Sequence, residues 1–173
     1  MAKQSNLVLI GMPGSGKSTV GVLLAKHAAM GFVDTDLLIQ ASEGRSLQDI
    51  VDRDGHDALR RIEERVLLSA HYENHVIATG GSAVYSAAAM AHLKHHGRVV
   101  FLDVSLATVE QRIGDFSLRG ISKRADQSIA ELFRERYALY QTYADVVVPG
   151  DDLTHDQVCA DILRKLNPGA SPV

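Results

Sequence analysis

Apolar residues along the chain gather in five short runs, at 7–10, 31–33, 76–78, 99–102 and 146–148, each three or four residues long. Runs this short and continuous, with little polar alternation, predict strands buried on both faces rather than strands with one wet side. Between them the apolar positions recur at helical spacing, predicting helices over 17–29, 37–42, 47–53, 57–71, 86–95 and 106–113. A further helix opens at Ser128 and runs to about Tyr143, and a closing helix follows Thr154. Ser46 with Asp49, Ser128 with Glu131 and Thr154 with Gln157 have capping-box spacing, and Ser105 is placed to cap the helix that follows it. Strands alternating with helices predict an α/β fold: a five-stranded parallel sheet with helices on both faces. Residues 114–126 mix Gly, Asp, Ser, Arg and Lys without periodicity and read as a mobile loop, and 167–173 as a loose tail. There is no shift in composition along the chain, so residues 1–173 are expected to form one domain.

Composition narrows the function classes. The chain has 173 residues, 46% of them hydrophobic, and a formal charge of −3, without the basic block that nucleic-acid binding would call for. No stretch approaches the ~18 apolar residues of a membrane span, and no targeting segment precedes the first strand, so a cytoplasmic protein without membrane or nucleic-acid partners is expected. The single cysteine, Cys159, falls at an apolar position of the last helix and reads as a packed, reduced thiol. A monomer is the expected state.

The chemistry begins directly after the first strand. Gly11-Met12-Pro13-Gly14-Ser15-Gly16-Lys17-Ser18-Thr19 satisfies G-x-x-x-x-G-K-[ST] between a strand and a helix, the context in which that spacing forms a phosphate-binding loop. Gly11, Gly14 and Gly16 let successive backbone N–H groups turn inward on an anion, and the helix beginning at Lys17 adds its positive end. Lys17 is placed to reach the outer phosphates and the Ser18 hydroxyl to ligate Mg²⁺, with Ser15 and Thr19 completing the cradle. The pattern implies a nucleoside triphosphate.

Two further segments follow strands and should open into the same crevice, because ligands of parallel sheets bind beyond the strands' carboxyl ends. Asp34-Thr35-Asp36 ends the second strand. Extended geometry would turn its two carboxylates to opposite sides, one toward a metal near Ser18 and one toward a second substrate. A turn or helix cap before Leu37 is the competing explanation. Thr79-Gly80-Gly81-Ser82 could let a substrate approach backbone N–H groups, or could be a plain turn. Arginines at 60, 61, 112, 119, 134 and 136 border these segments, and spacing alone singles out none of them. There is no guanine-reading Asn/Thr-Lys-x-Asp, which argues against a GTPase. His92, His95 and His96 read as the solvated end of a helix rather than a metal site.

From about Leu7 to Leu166 the sequence resembles the shikimate kinase family, small P-loop enzymes related to nucleoside monophosphate kinases. The family's phosphate loop corresponds to Gly11–Thr19 and its Asp-Thr-Asp to Asp34-Thr35-Asp36. Its Phe-Arg-x-x-Glu corresponds to Leu59-Arg60-Arg61-Ile62-Glu63, and its Thr-Gly-Gly-Gly to Thr79-Gly80-Gly81-Ser82. Its arginine ahead of Tyr-x-x-x-Ala-Asp corresponds to Arg136. The resemblance implies ATP as co-substrate, Mg²⁺ held by Ser18 and Asp34, and a lid over about 114–126. Asp36 would bond the acceptor hydroxyl and take its proton; Lys17, Asp36 and Arg119 would be catalytic. Arg112 would pack on the adenine, and Arg119 would close over the phosphates. Arg60 and Arg136 would pair with the acceptor's carboxylate, and Gly80 and Gly81 would face the acceptor. Two departures fall near the acceptor: Ser82 replaces the third glycine, and Arg119-Gly120-Ile121-Ser122 replaces Arg-Pro-Leu-Leu. The expected activity is phosphorylation of a hydroxyl on a small carboxylate metabolite, with shikimate favoured over homoserine. A nucleotide-sensing module is the non-enzyme alternative.

Overall fold

The computed structural model describes residues 5–115 and 119–167. Five strands form one sheet: β1 (Asn6–Ile10), β2 (Gly31–Asp34), β3 (His75–Ala78), β4 (Gly97–Asp103) and β5 (Val146–Pro149). All pairings are parallel, in the order β2-β3-β1-β4-β5. Eight α-helices occur among the described residues: α1 (Lys17–Ala28), α2 (Thr35–Glu43), α3 (Leu47–Asp54), α4 (His56–Leu68), α5 (Ala87–His96), α6 (Leu106–Ile113), α7 (Ile129–Tyr143) and α8 (His155–Leu166).

The central strands β1, β3 and β4 bury both faces as their continuous apolar runs predict, but the edge strands do not: β2 is half-buried throughout, and in β5 every second residue, Val147 among them, is exposed. Val8, Ile10, Ile77, Val99 and Phe101 point into a core completed by Met90, Leu132 and Tyr140 from α5 and α7. Leu9, Val76, Val100 and Leu102 point the other way, onto Val20 and Leu24 of α1 and Val158 and Ile162 of α8. Cys159 is buried in this second layer, with Sγ 3.5 Å from the Val20 carbonyl. A smaller apolar cluster of Ile39, Ile50, Leu59 and Val66 ties α2, α3 and α4 together beyond the edge strand β2.

The three capping boxes form at Ser46, Ser128 and Thr154, and Ser105 accepts from the Thr108 amide. The largest departure from the sequence expectation is at Asp34-Thr35-Asp36. Asp34 Oδ1 accepts from the Asp36 amide at 2.9 Å and caps α2, so the helix starts at Thr35, two residues earlier than predicted. Asp36 therefore lies on the first turn of a helix, and the strand alternation invoked for the two carboxylates does not apply. A second addition is the 3₁₀ turn Ala83–Tyr85, which brings Tyr85 toward α7. The expected loop over 114–126 contains no helix or strand among its described residues, and positions 116–118 lie outside them. No helix among the described residues is long and apolar enough to cross a membrane.

The order of strands fixes where a ligand can enter. From β1 the chain crosses to one side, to β2, and returns through β3; it then passes to the other side of β1, to β4 and β5. The loop after β1 thus sits at the point where the winding reverses.

Candidate active site

The loop after β1 is built on glycine. Gly11, Gly14 and Gly16 have φ of 149°, 79° and 98°. A side chain at Gly11 would also meet the Leu102 carbonyl at 2.8 Å. Gly16 is the N-cap of α1 and supplies no side-chain cap, so the helix presents its first N–H groups outward, as an anion site requires. Lys17 is buried, and its Nζ donates to the carbonyls of Gly11 (2.7 Å) and Met12 (2.8 Å) and to Ser15 Oγ (3.4 Å). Ser18 Oγ donates to Asp34 Oδ2 at 2.7 Å. Asp34 consequently does two jobs, capping α2 with one oxygen and holding the Ser18 hydroxyl with the other.

A crevice of about 330 Å³ opens beside this loop. Its phosphate-loop wall carries Gly14, Gly16, Lys17, Ser18 and Thr19. The opposite end is formed by Asp36 on α2, Glu63 on α4, Gly80 and Gly81 after β3, Arg119 and Ser122 from the loop before α7, and Arg136 on α7. Gly81 is required by close approach: a Cβ there would lie 2.6 Å from Arg136 Nη1 and 2.8 Å from Pro13 Cδ. A Cβ at Gly80 would collide with carboxylate oxygens of both Glu63 and Asp36. The Gly80 amide donates to Thr35 Oγ1 at 3.3 Å, so its N–H is already engaged.

Not every residue singled out from the sequence lines this space. Gly11 and Ser15 lie buried beneath the loop, and Asp34 stands behind Ser18. Arg112 sits on the outer side, with Nη1 donating to the Gly14 carbonyl at 3.2 Å. Arg60 is next door: its guanidinium lies over the Tyr85 ring, 3.7 Å from the centroid, and Nε donates to Ser122 Oγ at 3.0 Å. Arg136 is wholly buried. Its Nη2 donates to the Ser122 carbonyl at 2.7 Å and its Nε approaches Tyr85 Oη at 3.4 Å, while Nη1 has no partner among the described residues.

Burial dominates the electrostatics. It pushes the Asp36 carboxyl up to about 6, helped by the charge of Asp34 and opposed by Lys17. It pushes Glu63 up to about 7, with Asp36 adding to the rise while the hydrogen bond from Ser82 Oγ (2.5 Å), Arg136 and Lys17 oppose it. Lys17 is pulled down to about 8 by burial and by Arg136, against the attraction of Asp36, Asp34 and Glu63. Glu63, Ser122 and Tyr85 are the members of this cluster to which sequence reasoning gave no role. Glu63 was within reach of it, one helical turn after Arg60. The sequence sets Ser122 near the acceptor only as part of an altered segment, and Tyr85 was out of reach, because what brings Tyr85 in is tertiary.

A phosphate loop at the reversal point of a five-stranded parallel sheet, facing a half-buried and a buried carboxylate and a buried arginine across one crevice, defines a P-loop phosphotransferase. The family model described as Shikimate kinase matches residues 13–167, and the chain belongs to that family, ATP-dependent phosphotransferases that act on an alcohol group. It is 37% identical over 162 residues to the shikimate kinase of Sulfurihydrogenibium sp. (strain YO3AOP1), covering 93% of this chain and 97% of that protein. Among solved structures, the shikimate kinase from Acinetobacter baumannii in complex with shikimate superposes with a TM-score of 0.87 at 27% identity, covering 98% of this chain and 97% of that one. The shikimate kinase from Aquifex aeolicus gives 0.81 at 35% identity, covering 94% and 96%.

Proposed function

We propose that this chain, acting as a single-domain monomer, transfers the γ-phosphoryl group of ATP to a hydroxyl of shikimate. The observation that carries the acceptor is Arg136: a fully buried guanidinium with one unpartnered nitrogen, in the same crevice as Asp36 and Lys17. A cation buried in this way is suited to a carboxylate, and Asp36 to a hydroxyl on the same small molecule.

In this reading the loop N–H groups and the positive end of α1 hold the β- and γ-phosphates. Lys17 leaves the Gly11 and Met12 carbonyls and turns its ammonium to the γ-phosphate. Ser18 Oγ and Asp34 Oδ2, hard oxygen donors already 2.7 Å apart, fit a Mg²⁺ ion. Bound there, Mg²⁺ would neutralise charge on the phosphates. Asp36 orients the acceptor hydroxyl and takes its proton as the phosphoryl group arrives, a role favoured by a carboxyl that titrates near neutrality. Arg119, exposed at the crevice mouth, reaches over the phosphates, and Arg112 lies beside Gly14 where a nucleobase would project. Arg136 and Arg60 receive the carboxylate, and Gly80 and Gly81 leave room for the ring.

Release of ADP by purified protein with MgATP, measured separately with shikimate and homoserine, tests the acceptor. Turnover with shikimate, and a kcat/KM for it well above that for homoserine, is expected. Turnover with homoserine and none with shikimate overturns the proposal, and turnover with neither removes both acceptors.

A further inference from the structure

Ser122 is almost fully buried and makes an unusual set of contacts for a loop residue. Its carbonyl accepts from Arg136 Nη2 (2.7 Å) and, at 3.5 Å, from Arg60 Nη2. Its hydroxyl accepts from Arg60 Nε (3.0 Å) and donates to the His56 carbonyl at the start of α4 (3.2 Å). One residue thus holds both arginines assigned to the acceptor's carboxylate. The stretch before it is docked as well. The Gly120 amide donates to Gln48 Oε1 at 2.7 Å, and Ile121 is buried.

The consequence for the two arginines differs. Arg136 keeps Nη1 free and stays in the crevice wall. Arg60 does not line the crevice. Its charge is met by a hydroxyl, a carbonyl and the face of Tyr85, and it forms no ion pair among the described residues. The space it does line also touches Glu63 and Ser82, and Glu63 and Ser82 line the crevice too. Arg60 is therefore a cation whose hydrogen bonds go to neutral groups, with the Glu135 carboxylate in range of its charge, one residue away from where an anion would bind. A hydrogen bond from a guanidinium to a carboxylate is stronger than one to a hydroxyl, so a carboxylate entering beside Arg136 draws Arg60 toward itself. To move, Arg60 must leave Ser122 Oγ.

From these contacts we infer that Ser122 is a positioning residue that sets acceptor affinity, its hydroxyl competing with the acceptor's carboxylate for Arg60. The inference rests on the shikimate reading above. An acceptor binds at the cost of the Arg60–Ser122 bond, so the hydroxyl weakens binding of the carboxylate while leaving the phosphoryl-transfer groups untouched.

The test is steady-state kinetics of Ser122→Ala. KM for shikimate should fall by roughly three- to tenfold, the range of one modest polar interaction, with kcat and KM for ATP within about twofold. In an Arg60→Ala background the same substitution should leave KM for shikimate unchanged. With shikimate methyl ester, which lacks the anion, Ser122→Ala should match the wild type. If the alanine variant does not fold, Ser122→Cys, near in size and a weak acceptor, carries the same expectation. An unchanged or raised KM in a folded variant overturns the inference and leaves the shikimate reading standing. Absence of shikimate turnover in the wild-type protein overturns that reading itself.

Discussion

Glu63 and Asp36 share a crevice with Lys17, and each carboxyl is destabilised in its charged form by burial, Asp36 further by Asp34 and Glu63 further by Asp36. The fold accepts this cost where it binds ligands. Glu63 titrates at about 7 in the folded chain and at 4.5 when free, so its proton is bound more tightly in the native state. The stability this gives is full below the free value and is lost as pH rises through about 7. Glu63→Gln mimics the protonated form and can still accept from Ser82. Urea unfolding should show it more stable than the wild type at pH 8, on the order of 2 kcal/mol, with the difference vanishing near pH 4. Equal stability at pH 8 would mean the carboxylate is better compensated than its surroundings indicate. The same reasoning sets the pH dependence of turnover. Asp36 must be ionised to take a proton, so kcat/KM for the acceptor should decline below about pH 6, approaching tenfold per unit. Asp36→Asn should leave a small residual rate that lacks this limb. A wild-type profile flat from pH 5 to pH 8 would remove Asp36 as the base.

At the scale of elements, local signals carried most of what the sequence revealed. Continuous apolar runs specified the strands, though only the three central ones are buried on both faces, and Ser/Thr three residues ahead of Asp, Glu or Gln marked three helix starts. The phosphate loop was legible because its chemistry needs fixed residue types at consecutive positions. The start of α2 was misread because Asp34 can end a strand and cap a helix at once, and only the cap's hydrogen bond decides. The resting place of Arg60 was not legible for a different reason. Its position depends on Ser122, sixty-two residues away, and on Tyr85, carried by a 3₁₀ turn too short to leave a period. Caps matter to the site because α7 carries both Arg136 and Tyr140, whose hydroxyl holds the Gly81 carbonyl at 2.6 Å. Ser128→Ala removes the acceptor for the Glu131 amide and should cost about 1 kcal/mol in urea unfolding. The acceptor's KM should stay near wild type, since Arg136 lies two turns inside the helix. A large rise in KM at unchanged stability would show that the cap positions Arg136 directly.

Across the whole molecule, the parallel sheet supplies the floor, and the residues around the acceptor end come from α2, α4, the turn after β3, α7 and the loop before α7. That loop was expected to be mobile over 114–126; within it residues 120–122 are docked, while Arg119 and residues 124–126 are exposed. Ile121, Ser122 and Gln127 are buried, and the 119–122 stretch bridges α3, α4 and α7. Gly120 makes this docking possible. Its φ of 58° suits glycine, and a Cβ would stand 2.6 Å from Leu47 Cβ and 2.8 Å from the Gln48 amide nitrogen. Backbone and a β-carbon, not a flexible tip, are in the way, so an alanine at 120 must lift the stretch from α3. The Gly120 contacts themselves are with Leu47 and Gln48 of α3, and only Ile121 of this stretch belongs to an apolar layer of the sheet. Gly120→Ala should therefore leave the thermal midpoint within a few degrees, since the lost contacts are local and about 1–2 kcal/mol. Backbone amides at 119–122 should exchange faster in the ligand-free protein, because local opening no longer breaks the Gln48 bond. Lifting Ser122 also withdraws the carbonyl that fixes Arg136. In an Arg60→Ala background, where the Ser122 hydroxyl has no arginine to release, KM for the acceptor should therefore rise several-fold while KM for ATP, set by the loop after β1, changes little. Hydrogen exchange followed by mass spectrometry, with kinetics on the same preparation, decides the matter. Wild-type exchange in Gly120→Ala, and no effect of Gly120→Ala on KM in the Arg60→Ala background, would show that the stretch does not need its docked position to shape the acceptor end.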